Sequence, residues 1–190
     1  MKIILKGAFL GALIFAVWSI VSWDGLKWYR ACIKQFENER FVSWVIRENA
    51  KQGHAVYLLP YPFDQKKSSS DAPFFYAAIS PRGGTVVSVT KTLIGYGVMA
   101  FVMGGITWMM TLVKPVGYWR KVIFLTCIGA FADIMIRFPQ MIWYGFSPSY
   151  TWMSTLNATV GFFLAALLIA SFMRESKEEI ERQEAEELFE

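Results

Sequence analysis

Four long apolar segments constrain the fold of this chain more than any other feature. Each has 19 to 23 residues, and they cover Ile3–Val21, Thr92–Val113, Val122–Tyr144 and Trp152–Met173. A helix of about 20 residues spans a hydrocarbon core of about 30 Å. The composition agrees, because 55% of the residues are hydrophobic and only 18% are charged, whereas soluble domains have about 25% charged residues. We therefore predict an all-α membrane protein with four transmembrane helices.

The first segment has an alternative interpretation as a cleaved signal peptide, since Lys2 precedes an apolar run. Its length exceeds the usual apolar core of a signal peptide, which has about 7–15 residues. It also ends in VWSIVSW, where tryptophan stands in place of the small residues that cleavage requires. We expect residues 1–23 to be a retained transmembrane helix.

Basic residues indicate how the helices are oriented. With four spans, one side of the membrane receives Lys2, Lys6, Lys114, Arg120, Lys121, Arg174 and Lys177, whereas the connection FSPSYT on the other side has no charge. Short cytoplasmic loops carry an excess of lysine and arginine. The 67-residue segment 24–90 has nine basic residues, but the rule holds for loops shorter than about 60 residues. We predict a bacterial inner-membrane protein with both termini cytoplasmic and residues 24–90 extracytoplasmic.

Residues 24–90 predict a small αββ cap between the first and second helices. Asn38 precedes ERFVSWVIRENA, whose apolar residues recur at helical spacing, and Gly53 is placed to end that helix. AVYLLP and FFYAAIS have the composition of two short strands. The domain organisation is then helix 1 (1–23), cap (24–90), helices 2–4 (91–173) and a tail (174–190).

A charged pair interrupts the third apolar segment, in the run ADIMIRFPQ. Asp133 and Arg137 stand four residues apart, the spacing and order that favour an ion pair within one helix. The supporting polar or kinking residues are Pro139, Gln140 and Asn157. The pair has two interpretations: a neutralised latch that holds helix 3 against a neighbour, or a transport site in which Asp133 titrates or binds an ion.

Small residues and the acidic tail suggest protein contacts. Close helix packing is expected at Gly7, Gly11, Ala100, Gly104, Gly161 and Ala165. The tail has eight Glu against three basic residues, and it is expected to extend helix 4. It is either a solvated helix or an arm that docks on a basic partner through Glu178, Glu181, Glu184 and Glu187.

The sequence offers little for catalysis. His54 is the only histidine, and the spacings of phosphate-binding loops, serine hydrolases and zinc proteases are missing. Cys32 and Cys127 fall in different compartments on the predicted topology, so we expect no disulfide between them. We therefore expect no enzyme activity, no catalytic residues, no metal, no cofactor and no nucleic-acid partner.

VWSIVSW in helix 1, the YLLP strand and WYGFSPSYT between helices 3 and 4 resemble a family of small bacterial membrane proteins. That family pairs a W-x-x-x-SW first helix with a WYGF-x-x-SYT turn, and the likeness covers most of the chain. The resemblance implies the four-helix layout and no particular chemistry. The charged pair at Asp133 and Arg137 is a departure from it.

These features favour an accessory or structural subunit of a larger inner-membrane complex, whose partners are other membrane protein subunits and the lipid bilayer. The alternative is a small oligomeric ion-coupled transporter that uses Asp133.

Overall fold

The computed structural model describes residues 1–51, 55–61, 73–80, 89–112 and 117–173. Helix α1 (Lys2–Ile20) continues into a π-helical turn (Val21–Gly25). The remaining elements are α2 (Tyr29–Cys32), α3 (Glu39–Asn49), β1 (Ala55–Leu59), β2 (Phe75–Ile79), α4 (Val89–Thr111), α5 (Tyr118–Tyr144) and α6 (Pro148–Phe172). Four helices, α1 with its π-helical turn, α4, α5 and α6, are long and apolar enough to cross a membrane. The prediction of a multi-pass, mostly helical membrane protein is confirmed.

The long helices start earlier than the apolar runs because their first turns are polar. Helix α6 begins at Pro148, and the Ser147 hydroxyl accepts a hydrogen bond from the Tyr150 N–H at 3.2 Å. A hydroxyl cap followed by proline is a common helix start. Helix α5 ends at Tyr144, and its C-cap Gly145 has a φ of 67°, in the left-handed region that glycine tolerates.

Three helix pairs pack closely: α1 with α4, α1 with α6, and α5 with α6. Helices α1 and α6 therefore each pack against two neighbours. We call the end of the bundle that carries α2 and the strands the cap end, and the opposite end the tail end. A buried apolar core near the tail end joins α4, α5 and α6 through Met103, Met110, Val122, Leu125, Ala165, Ala166, Ile169 and Ala170.

Glycines allow the helices to approach at these contacts. A Cβ at Gly161 would lie 2.7 Å from the Phe15 ring, so no larger residue fits without movement. Gly11 faces Ile169, and Gly104 faces Ala8. Gly7 is buried against Thr107, Ala165 is buried and Ala100 is half-buried. Each small residue expected at a packing position lies within a helix that contacts another helix.

The cap consists of α3 and a two-stranded antiparallel hairpin, in which Ala55 pairs with Ile79 and Leu59 with Phe75. The Asn38 side chain accepts a hydrogen bond from the Phe41 N–H at 3.0 Å, so Asn38 caps α3 as predicted. The predicted end at Gly53 is wrong, because α3 ends at Asn49 with Ala50 as its C-cap. Ala50 has left the helical conformation and is buried.

The hairpin rests on the turn between α5 and α6, where the Tyr76 ring stacks on Tyr144 with centroids 4.4 Å apart. Gly53 and His54 lie outside the described residues, and so do the tail glutamates Glu178, Glu181, Glu184 and Glu187.

Candidate functional site

The predicted ion pair forms within α5. Arg137 Nε donates a hydrogen bond to Asp133 Oδ1 at 2.7 Å. The Asp133 side chain is 13% exposed and that of Arg137 is 31% exposed. The second carboxylate oxygen, Asp133 Oδ2, is buried and has no hydrogen-bond partner. The pair is therefore neutralised in charge, but its hydrogen bonding is incomplete.

Two contacts between α5 and α6 show which part of α6 lies opposite the Asp133–Arg137 pair. Gly129 lies against the Phe162 ring. Nearer the cap end, the Phe138 and Trp152 rings meet edge to face at 5.0 Å. The two helices run antiparallel, so residue numbers that rise along α5 fall along the facing part of α6. The helical turn from Asp133 to Arg137 therefore lies at the level of the middle of the Trp152–Phe162 segment of α6.

That interval of α6 carries three buried polar side chains. Ser154 is 1% exposed, Thr155 is 6% exposed and Asn157 is 9% exposed. Ser154 Oγ, Thr155 Oγ1 and Asn157 Oδ1 have no hydrogen-bond partner of good geometry. Buried polar atoms are nearly always paired with protein, water or ligand. These three oxygens of α6 could therefore form hydrogen bonds for which the described residues supply no partner.

Tyr29 closes the site from α2, because the short helix folds back over the cap end of the bundle. The residue is 5% exposed, and its ring stacks on Trp23 with centroids 4.2 Å apart. Burial raises the pKa of the Tyr29 phenol above its ordinary value, whereas the nearby Ser154 hydroxyl and Arg137 guanidinium act in the opposite direction. The phenol is close enough to Ser154 and Asn157 to interact with both, although the two α6 oxygens lack a well-aligned bond.

Hydrogen bonds from two tryptophan side chains hold this end of α1 in place. Trp18 Nε1 donates to the main-chain oxygen of Asn157 at 2.9 Å. Trp28 Nε1 donates to the main-chain oxygen of Ser22 at 2.8 Å and to its hydroxyl at 3.0 Å. Ser22 is fully buried. These bonds connect α1 to α6 and position the turn that carries Tyr29.

We call the following residues the polar cluster: Tyr29, Asp133, Arg137, Ser154, Thr155 and Asn157. Three elements contribute to it, and it carries one acid and one base. Asp133 Oδ2 and Asn157 Oδ1 are acceptors only, whereas the hydroxyls can donate or accept. Such a set can bind a polar group by hydrogen bonds without a net change in buried charge.

The other residues predicted around the pair lie nearby but do not join the polar cluster. Pro139 lies inside α5, which continues to Tyr144. Gln140 is half-buried, and its main-chain oxygen accepts from the Gly145 N–H at the helix end. Among the residues that the structure describes, no group of three His, Cys, Asp or Glu side chains could hold a metal ion.

Sequence reasoning identified Asp133, Arg137 and Asn157 but missed Tyr29, Ser154 and Thr155. A signal for two of these exists, since STLN places Ser154 and Thr155 beside Asn157 in an apolar helix. Nothing in the sequence indicates that Tyr29 folds back over the bundle.

A scan against protein-family models, a search of curated proteins and a search of solved structures each found no match to this chain.

Proposed function

We propose that this chain is a non-catalytic subunit of a larger membrane protein complex. The observation that carries the proposal is a set of open glycines on α4, two of which, Gly97 and Gly105, share a helix face. A Cβ added at Gly95, Gly97 or Gly105 would meet no atom within 4 Å. Glycine in a helix interior is less favourable than alanine by about 1 kcal/mol, so the helix bears this cost at three positions where glycine makes no close contact within the chain.

The other helix glycines provide a comparison within the same molecule. Gly11, Gly104 and Gly161 each lie where an added Cβ would come within 3.1 Å of a neighbouring helix. In this bundle, glycine in a long helix usually marks a helix contact. By the same rule, Gly97 and Gly105 mark a contact with a helix from another chain.

The two glycines lie on one face of α4. They are eight residues apart, with Phe101 midway between them, and residues four apart share a helix face. Phe101 is 83% exposed and Trp108, further along the same face, is 52% exposed. The opposite face, with Met103 and Thr107, is buried. Small residues that flank a large one suit the interlocking of two transmembrane helices.

The test is extraction of the native protein in a gentle detergent, followed by mass spectrometry of intact complexes. We expect a stoichiometric complex with a second membrane protein. Gly105→Leu should release the partner, because leucine would separate the two helices. Gly95→Leu is the matched control, since Gly95 is also open but lies to one side of that face. A monomer in the native extract would refute the proposal, and so would equal loss of partner with both variants.

The polar cluster favours a second candidate function, ion-coupled transport. Asp133 is largely buried within a membrane-spanning helix, and one of its carboxylate oxygens has no hydrogen-bond partner; an intramembrane carboxylate of this kind is typical of transport sites. In that case Asp133→Asn should abolish ion-dependent uptake into vesicles while the protein remains folded. Uptake that is unchanged by Asp133→Asn would exclude this candidate.

A further inference from the structure

The cap contains an apolar groove between α3 and the hairpin. Its volume is about 580 Å³, within the range of about 300–1,000 Å³ that ligand cavities span. Apolar side chains from both walls line it, among them Val42, Val45 and Ile46 of α3 and Leu59, Phe75 and Ile79 of the strands.

The groove lies on the face of the hairpin that is turned away from the four long helices. Tyr76 stacks on Tyr144 at the end of α5, and successive side chains of a strand point to opposite faces. Phe75 therefore points away from the bundle, and its cross-strand partner Leu59 shares that face. Because both line the groove, the hairpin separates the groove from the bundle.

Large apolar side chains remain exposed along the groove. Phe36 and Phe41 border it on the side of α3, and Leu59 borders it on the side of the strands. All three side chains are exposed. Apolar surface that is gathered in a concave site is typical of a binding site for an apolar ligand.

One edge of the groove is polar and carries a positive charge. We call this edge, bordered by Ser43, Arg47 and Ser80, the rim; Val42 and Ile79 line both the rim and the groove. A planar guanidinium binds a carboxylate through paired hydrogen bonds. Ser43 precedes Arg47 by one helical turn and adds a hydroxyl donor on the same side of α3.

Glu39 also borders the rim, at its opposite end. It precedes Arg47 by eight residues, a distance of about 12 Å along the helix axis. The position for an anionic group is therefore beside Arg47 and away from Glu39.

We propose that the groove binds one long-chain fatty acid, with its acyl chain between α3 and the strands and its carboxylate on Arg47. A ligand must leave the bilayer to reach this side of the hairpin. A single acyl chain binds a bilayer weakly and reversibly, whereas two chains anchor a molecule stably. The location of the groove therefore favours a free fatty acid over a phospholipid.

The test is photo-crosslinking of the full-length chain in lipid nanodiscs with palmitate that carries a diazirine near the end of its chain. Mass spectrometry of the digested protein maps the labelled residues. We expect saturable labelling of α3 and the strands, displaced by unmodified palmitate. A second probe with the same chain and an alcohol in place of the carboxylate reports chain binding alone.

Arg47→Gln separates the two parts of the site, and it should leave the fold intact because Arg47 is exposed. It should raise the half-saturating concentration of the acid probe about tenfold, the equivalent of one lost charge-assisted hydrogen bond. Labelling by the alcohol probe should not change. Val42→Trp should fill the groove and abolish cap labelling by both probes.

Arg40→Gln is the matched control, because it makes the same change on the same helix. Arg40 borders a separate hollow beside Trp44 and does not line the groove. Equal effects of Arg40→Gln and Arg47→Gln would overturn the inference, as would equal effects of Arg47→Gln on the two probes. Labelling confined to the four long helices would also overturn it, and so would a cap dimer that palmitate does not dissociate.

The inference does not depend on the proposed subunit function, since the groove lies in the cap and Gly97 and Gly105 lie on α4. Saturable cap labelling of a monomer would refute only the subunit proposal. A stoichiometric complex without cap labelling would refute only the fatty-acid site.

Discussion

The Asp133–Arg137 pair predicts an asymmetric response to neutralisation. Asp133 is the more buried partner, at 13% exposure against 31% for Arg137. Arg137→Gln would leave a buried carboxylate without its counter-charge, and we expect it to lower the free energy of unfolding by about 3 kcal/mol. Asp133→Asn would leave an arginine that can extend toward the surface, so we expect a smaller loss of about 1–2 kcal/mol.

The double variant distinguishes a latch from two independent residues. If the pair is a latch, removing both charges should cost about 1 kcal/mol, less than the loss from Arg137→Gln alone. The difference between the summed single effects and the double effect should then be about 3–4 kcal/mol of coupling.

Reversible unfolding in mixed micelles, followed by tryptophan fluorescence, measures each free energy. Arg120→Gln is the control, because Arg120 is exposed near the start of α5, and its effect should stay within about 0.5 kcal/mol. Additive single effects would refute the reasoning, since they would show that each charge is held by a different partner.

Three further predictions concern packing, titration and capping. Gly161→Ala should lower the free energy of unfolding by about 1–3 kcal/mol in the same micelle assay, because a Cβ would stand 2.7 Å from Phe15; Gly95→Ala, with open space around it, should not lower it. The raised pKa of Tyr29 means that the unfolded state loses its phenol proton first. Stability from this group is therefore complete below about pH 10 and falls above it. Tyr29→Phe should make the decline in unfolding free energy above that pH shallower, and an unchanged slope would contradict this. Asn38→Ala removes the cap on the Phe41 N–H and should reduce stability by about 1 kcal/mol, with amide exchange accelerated in α3 alone; acceleration throughout the bundle would be the opposing result.

The four long helices could be predicted from the apolar runs, because the length and hydrophobicity that allow a segment to span a membrane are properties of that segment alone. The αββ elements of the cap were also predictable from local signals, since Asn38 and the two β-rich runs act over a few residues. The end of α3 was not, because the C-cap falls on Ala50, where neither glycine nor proline marks a helix end in the sequence.

The charged pair was predictable for the same local reason, since Asp133 and Arg137 share one helix face. The remainder of the polar cluster depends on how α2 folds over α6. Tyr29 meets Ser154 and Asn157 through that tertiary contact, which hydropathy and spacing do not encode. The match between Gly161 and Phe15 depends on tertiary packing in the same way.

The central position of α1 and α6 has a consequence for the order of assembly. Helices α5 and α6 are joined by a short turn and can pair as soon as both are synthesised, whereas the bond between Trp18 and Asn157 joins residues 139 positions apart. Closing a longer loop costs more entropy, and sequence-distant contacts form later. Assembly is then the docking of two halves, α1 with α4 and α5 with α6. Two separately expressed fragments, divided in the connection between α4 and α5, should therefore recombine in the membrane into the complete bundle.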